Sequence, residues 1–136
     1  MKTYTYEQEV RYAETDRMKV VHHSTYLVWF ELGRTGLLKD AGYPYHELEA
    51  SGTMFPVIEY SCRLVDSSDY GDVVTVVTHI SELKSRTVAF AYEVFVGERK
   101  IATGMTRHVA MDGNSRIHRI PDTLLRALEA YAGPEG

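Results

Sequence analysis

A chain of 136 residues with 44% hydrophobic and 25% charged side chains is one ordinary globular domain, long enough to hide roughly two-thirds of its unfolded surface. The net charge of −4 disfavours nucleic acid as a partner, no apolar run approaches the ~18 residues of a membrane span, and the N-terminal residues lack the apolar stretch of a secretory signal. The single Cys62 cannot close an intrachain disulfide and suits a reducing compartment. These features predict a single cytoplasmic domain over 1–136, without membrane insertion or nucleic-acid binding.

Residues 3–13 alternate loosely and are rich in Tyr, Thr and Val, which predicts a first strand. From His23 the period changes. Tyr26, Trp29, Phe30, Gly33 and Leu37 fall on one helical stripe, with Ser24 or Thr25 as N-cap and a stop near Gly42 and Pro44. Strand-like segments follow almost continuously: 55–65, a turn cluster at 66–72, 73–83, a corner at Lys84-Ser85, and 87–96. In 87–96, Val88, Phe90, Tyr92, Val94 and Val96 line one face, while Ala89, Ala91 and Glu93 line the other. Gly97-Glu98 turns the chain into a strand over 99–111, and a short helix is predicted from Pro121 to Tyr131. One sheet must wrap around the long helix to bury its stripe, so the fold class is α+β. A single such layer leaves edges and part of a face uncovered, which predicts a dimer or a larger assembly such as a tetramer.

The densest chemistry lies between Tyr12 and Tyr26. Asp16 stands a few residues before a helix that opens with His22, His23, Ser24 and Thr25. A carboxylate beside a helix N-terminus joins a base or nucleophile to N–H donors that stabilise an oxyanion. Glu14 and Asp16 straddle Thr15, so in an extended chain they share a face. Asp16 is equally suited to an ordinary turn between strand and helix. Other constellations fail on spacing. His46-Glu47 lacks the second histidine of a zinc helix, Asp66, Asp69 and Asp72 lack the alternation of a calcium loop, and no metal site is predicted. Cys62 is expected to be a packed thiol and Glu59 a structural carboxylate. No G-x-S-x-G elbow, phosphate loop or dinucleotide motif is present.

Tyr12-Ala-Glu-Thr-Asp16, Val20-Val21-His22-His23-Ser24-Thr25-Tyr26-Leu27 and Trp29-Phe30-Glu31 with Arg34 resemble the signature of the 4-hydroxybenzoyl-CoA thioesterase and YbgC-like acyl-CoA thioesterases of the hotdog superfamily. The likeness covers about residues 6–112. It implies a hotdog fold, an antiparallel five-stranded sheet around one long core helix with a short C-terminal helix. It also implies hydrolysis of an acyl-CoA thioester, with Asp16 as nucleophile or general base and the backbone N–H of His23 as oxyanion donor. His22, Thr25 and Tyr26 would lie around the acyl end, and Lys84, Ser85 and Arg86 would hold nucleotide phosphates. CoA is then part of the substrate, and no further cofactor is implied. Lys19, His22 and Thr25 stand where the family carries Gly, Tyr and Asn; Lys19 and His22 would suit an acyl group with its own carboxylate. A non-hydrolytic acyl-CoA or aromatic-ligand binding module and an acyl-carrier-protein thioesterase are the alternative readings.

Overall fold

The computed structural model describes residues 2–16, 18 and 20–133; Lys19 lies outside them. Strand β1 (Tyr4–Glu9) is followed by a single 3-10 turn at Tyr12–Glu14, then by helices α1 (His23–Asp40) and α2 (Tyr45–Ala50). Strands β2 (Val57–Leu64), β3 (Val73–Leu83), β4 (Thr87–Val96) and β5 (Arg99–Val109) lead to helix α3 (Asp122–Ala132). The five strands form one antiparallel sheet in the order β1-β3-β4-β5-β2. A five-stranded sheet curled around α1 is the hotdog arrangement that the resemblance implies.

The helical stripe becomes the core. Thr25, Tyr26, Trp29, Phe30, Gly33 and Leu37 are the buried residues of α1, and they pack on the β4 row Val88, Phe90, Tyr92 and Val94. Fully burying an aliphatic or aromatic side chain of this kind contributes roughly 1.5–3 kcal/mol. Phe30 stacks on Tyr92 with centroids 4.3 Å apart, and the ring passes over Gly104 of β5, where a side chain would collide with it. Gly33 plays the same part against Thr78 of β3. Helix α3 closes the structure through buried Leu124, Leu128 and Tyr131, and the Tyr131 hydroxyl donates to Asp40 Oδ2 at 2.8 Å.

The structure departs from expectation in four places. The first strand ends at Glu9, and residues 12–14 coil into a 3-10 turn. Helix α2 has no counterpart in the predicted elements; with only six residues and Leu48 as its half-buried contact, it shows no readable period. The N-cap of α1 is His22 rather than Ser24 or Thr25. Strand β2 forms where expected, yet every residue of it is exposed in the single chain, Cys62 included. Its apolar side chains Val57, Ile58, Tyr60 and Leu64 are 42–62% accessible, because β2 is an edge strand that α1 does not cover.

Candidate active site

Asp16 and the start of α1 are brought together by a small antiparallel pairing. Asp16 N–H donates to the Val20 carbonyl (2.9 Å), Thr15 bridges Val21, and His22 N–H donates to the Glu14 carbonyl (2.8 Å). The loop is tied down again from outside, by Val21 N–H to the Ser68 carbonyl (3.0 Å) and by the bridge between Val20 and Asp69. The 66–68 turn that receives it is itself stapled by Arg99, which lies 2.8 Å from Asp66 Oδ2 and donates to the Ser67 carbonyl. That guanidinium, with the Ser67 N–H, holds the Asp66 carboxyl below its usual range. Tyr26, buried in the core, reaches Ser68 Oγ at 3.2 Å and anchors the same turn from beneath.

Asp16 is exposed. Its Oδ1 accepts the Met18 N–H at 2.8 Å, the geometry of an Asx turn, which leaves Oδ2 without a partner among the described residues. Glu14, expected to share its face, does not. The 3-10 turn rotates it inward, where it is 8% exposed and accepts the Arg11 N–H at 2.8 Å. The two carboxylates are separated rather than paired.

At the helix start the first N–H groups are accounted for one by one. Ser24 N–H donates to His22 Nδ1 (3.2 Å) and Thr25 N–H to the His22 carbonyl (3.0 Å). The His23 N–H has no acceptor among the described residues. Because Nδ1 accepts from Ser24, a neutral His22 carries its proton on Nε2. The His22 and His23 rings stack at 4.2 Å. The expected substrate contacts divide here. His22 is exposed beside Asp16, whereas the Thr25 and Tyr26 side chains are buried and serve packing in the single chain.

Lys84, Ser85 and Arg86 form the exposed corner between β3 and β4, fixed by Lys84 N–H to the Thr87 carbonyl (2.9 Å) and Ile120 N–H to the Ser85 carbonyl (2.8 Å). A cavity of about 630 Å³ opens beside it, against Leu125, Glu129 and Ala130 of α3. The corner does not converge with Asp16 in one chain. The 66–72 turn that anchors the Asp16 loop precedes the first residue of β3, Val73, and the corner follows its last, Leu83. Eleven strand residues span about 33–36 Å.

One polar feature escapes sequence reasoning: a buried chain of hydrogen bonds from β4 through β5 to Phe55. Tyr92 and Thr106 hydroxyls lie 2.6 Å apart, His108 Nε2 lies 2.8 Å from Thr106 Oγ1, and His108 Nδ1 lies 2.9 Å from the Phe55 carbonyl. Burial pushes the His108 imidazole down to about 4, with the neighbouring Arg34 charge adding to it and the hydrogen bond to Phe55 opposing. Polar residues at 106 and 108, two apart on the inward face of β5, are the signal the sequence offers.

The model of the thioesterase-like superfamily matches residues 10–128. The chain is 37% identical over 111 residues to YneP of Bacillus subtilis, covering 80% of each protein. The crystal structure of protein TT1821 from Thermus thermophilus superposes with a TM-score of 0.90 at 43% identity, over 93% of this chain and 98% of that one. The DHNA-CoA thioesterase of Staphylococcus aureus superposes with a TM-score of 0.88 at 27% identity, over 93% and 89%. The chain belongs to the thioesterase-like superfamily. It is a thioesterase of the hotdog fold.

Proposed function

We propose that this chain hydrolyses acyl-CoA thioesters to a free acid and CoA. What supports the reading is an Asp16 Oδ2 and a His23 N–H that both lack a partner among the described residues, on a loop tied to the head of the 18-residue helix by the Asp16–Val20 and His22–Glu14 hydrogen bonds. The thioester oxygen accepts from the His23 N–H, where the helix dipole favours the charge that develops on it. Asp16 either attacks the carbonyl carbon or takes the proton of an attacking water. In both routes the elements of water are added: hydroxyl to the acyl carbon, hydrogen to the departing sulfur. The carboxylate and the N–H donor supply what the reaction needs, so the proposal involves no metal or additional cofactor. The names of relatives support the substrate class. YneP bears a name that proposes acyl-CoA thioesterase activity, and the Staphylococcus aureus structure is called a DHNA-CoA thioesterase.

The working enzyme is proposed to be at least a dimer. The exposed face of β2 and the outward α1 residues Val28 and Leu32 form an apolar surface next to an unpaired strand edge, which a second copy would cover. A second copy would also carry its own Lys84, Ser85 and Arg86, and so supply basic contacts to a CoA whose thioester lies at Asp16 of the first. Release of free CoA thiol from short, medium, long and aromatic acyl-CoAs tests the reading. Turnover of at least one class is expected; CoA esters bound but never cleaved would replace hydrolysis with binding.

A further inference from the structure

Two cavities lie along the uncovered flank of α1 and share Glu31 and Arg34. One, of about 390 Å³, opens between Leu27, Val28 and the β2 residues Ile58 and Tyr60. The other, of about 450 Å³, continues under α2 between Leu48, Phe55 and Phe90. Thr106 lines the first and His108 the second, so the buried polar chain forms their common floor.

The direction of that chain follows from its ends. A carbonyl only accepts, so His108 Nδ1 carries the proton toward Phe55 and Nε2 is left as an acceptor. Thr106 must then donate to Nε2, which obliges Tyr92 to donate to Thr106. Having given its proton inward, the Tyr92 oxygen keeps lone pairs alone. Burial raises the Tyr92 pKa, while Thr106 and the adjacent Arg34 guanidinium lower it. A guanidinium has five N–H donors, and Arg34 makes no ion pair among the described residues, so donors remain for the cavities. Glu31 lines both cavities and Glu49 the second; both side chains are exposed, so solvent screens their repulsion of a carboxylate held by Arg34.

We infer that Arg34 recognises an acceptor oxygen, a carboxylate above all, at the far end of the acyl group. The inference rests on the thioesterase reading for the position of the thioester. Arg34 lies eleven residues beyond His23, about 16 Å along the helix axis. Helical side chains lean back toward the N-terminus, which shortens the gap to one that a medium-length acyl chain spans. A carboxylate there would meet the planar guanidinium fork, whereas a methyl end would leave those donors in a partly desolvated cleft without a partner.

The test compares matched pairs, adipyl-CoA with hexanoyl-CoA and suberyl-CoA with octanoyl-CoA, by kcat/KM. The wild-type protein is expected to prefer the carboxylated member of at least one pair by about tenfold or more, mainly through KM. The ratio should fall to near one in Arg34→Gln. Equal or reversed preference in the wild type overturns the inference, and so does a ratio that survives in Arg34→Gln. If none of the four esters is cleaved, titration calorimetry of the same pairs separates the two claims. A tenfold affinity ratio keeps the subsite while the reaction reading falls; a ratio near one removes the subsite as well.

Discussion

Acidification should destabilise this protein in a window set by His108. The imidazole is almost wholly buried, gives its Nδ1 proton to the Phe55 carbonyl and accepts from Thr106, so the fold stabilises its neutral form. In the unfolded chain it takes up a proton near 6.5; in the folded protein it does so only near 4. The unfolded state therefore binds the extra proton first as pH falls. The contribution is fully present above about pH 6.5 and is lost progressively down to about pH 4. The drop from 6.5 to about 4 corresponds to about 3 kcal/mol lost across that window. Asp66 and Asp112, held below the usual carboxylate range by Arg99 and by backbone N–H groups respectively, lose their contributions further into acid. Urea unfolding at fixed protein concentration, in steps from pH 7.5 to 4, should show the decline in wild type and a much flatter profile in His108→Gln. Gln can still donate to Phe55 and does not titrate. Parallel profiles for the two proteins would refute the assignment of the buried proton chain.

Gly104→Ala should lower stability by about 2–3 kcal/mol, read as a fall in Tm of several degrees, because its Cβ would overlap the Phe30 ring and lie 2.8 Å from the Ser61 carbonyl. An unchanged Tm would show that Phe30 does not sit over that glycine. Ile58→Lys, on the exposed face of β2, should leave the chain folded by circular dichroism yet monomeric by analytical ultracentrifugation, with thioester turnover reduced. A monomeric wild type would contradict the proposed assembly. Lys84→Ala with Arg86→Ala should raise KM for acyl-CoA by about tenfold with kcat nearly unchanged, and the effect should shrink at high salt. No change in KM would remove this corner from CoA recognition.

The core was legible in the sequence because two periodicities carry it. The stripe from Tyr26 to Leu37 and the alternation from Val88 to Val96 are the surfaces that meet in the structure. What the sequence obscured follows from local geometry and from distance along the chain. Ser24 and Thr25 looked like caps by residue type, but the His22 ring nitrogen accepts the Ser24 N–H and takes the capping role. Glu14 and Asp16 looked paired as an extended segment, and a single 3-10 turn sends one inward. The sequence marks both the Asp16 loop and the Lys84 corner. Their placement at opposite ends of β3 depends on strand order, which no motif encodes. The Tyr92–Thr106–His108–Phe55 chain joins three separated segments and is visible only once β4 and β5 are paired and the 55 region is laid against them.

The most direct test of the central claim is the single-turnover rate of CoA thiol release by Asp16→Asn on the best acyl-CoA substrate, beside wild type, with binding measured in parallel. The account predicts a rate reduced by about 10³-fold or more, in the range lost when a reacting group is removed, with acyl-CoA affinity changed only slightly. A variant that binds and still turns over within about tenfold of wild type would show that Asp16 is only the turn residue its position also allows.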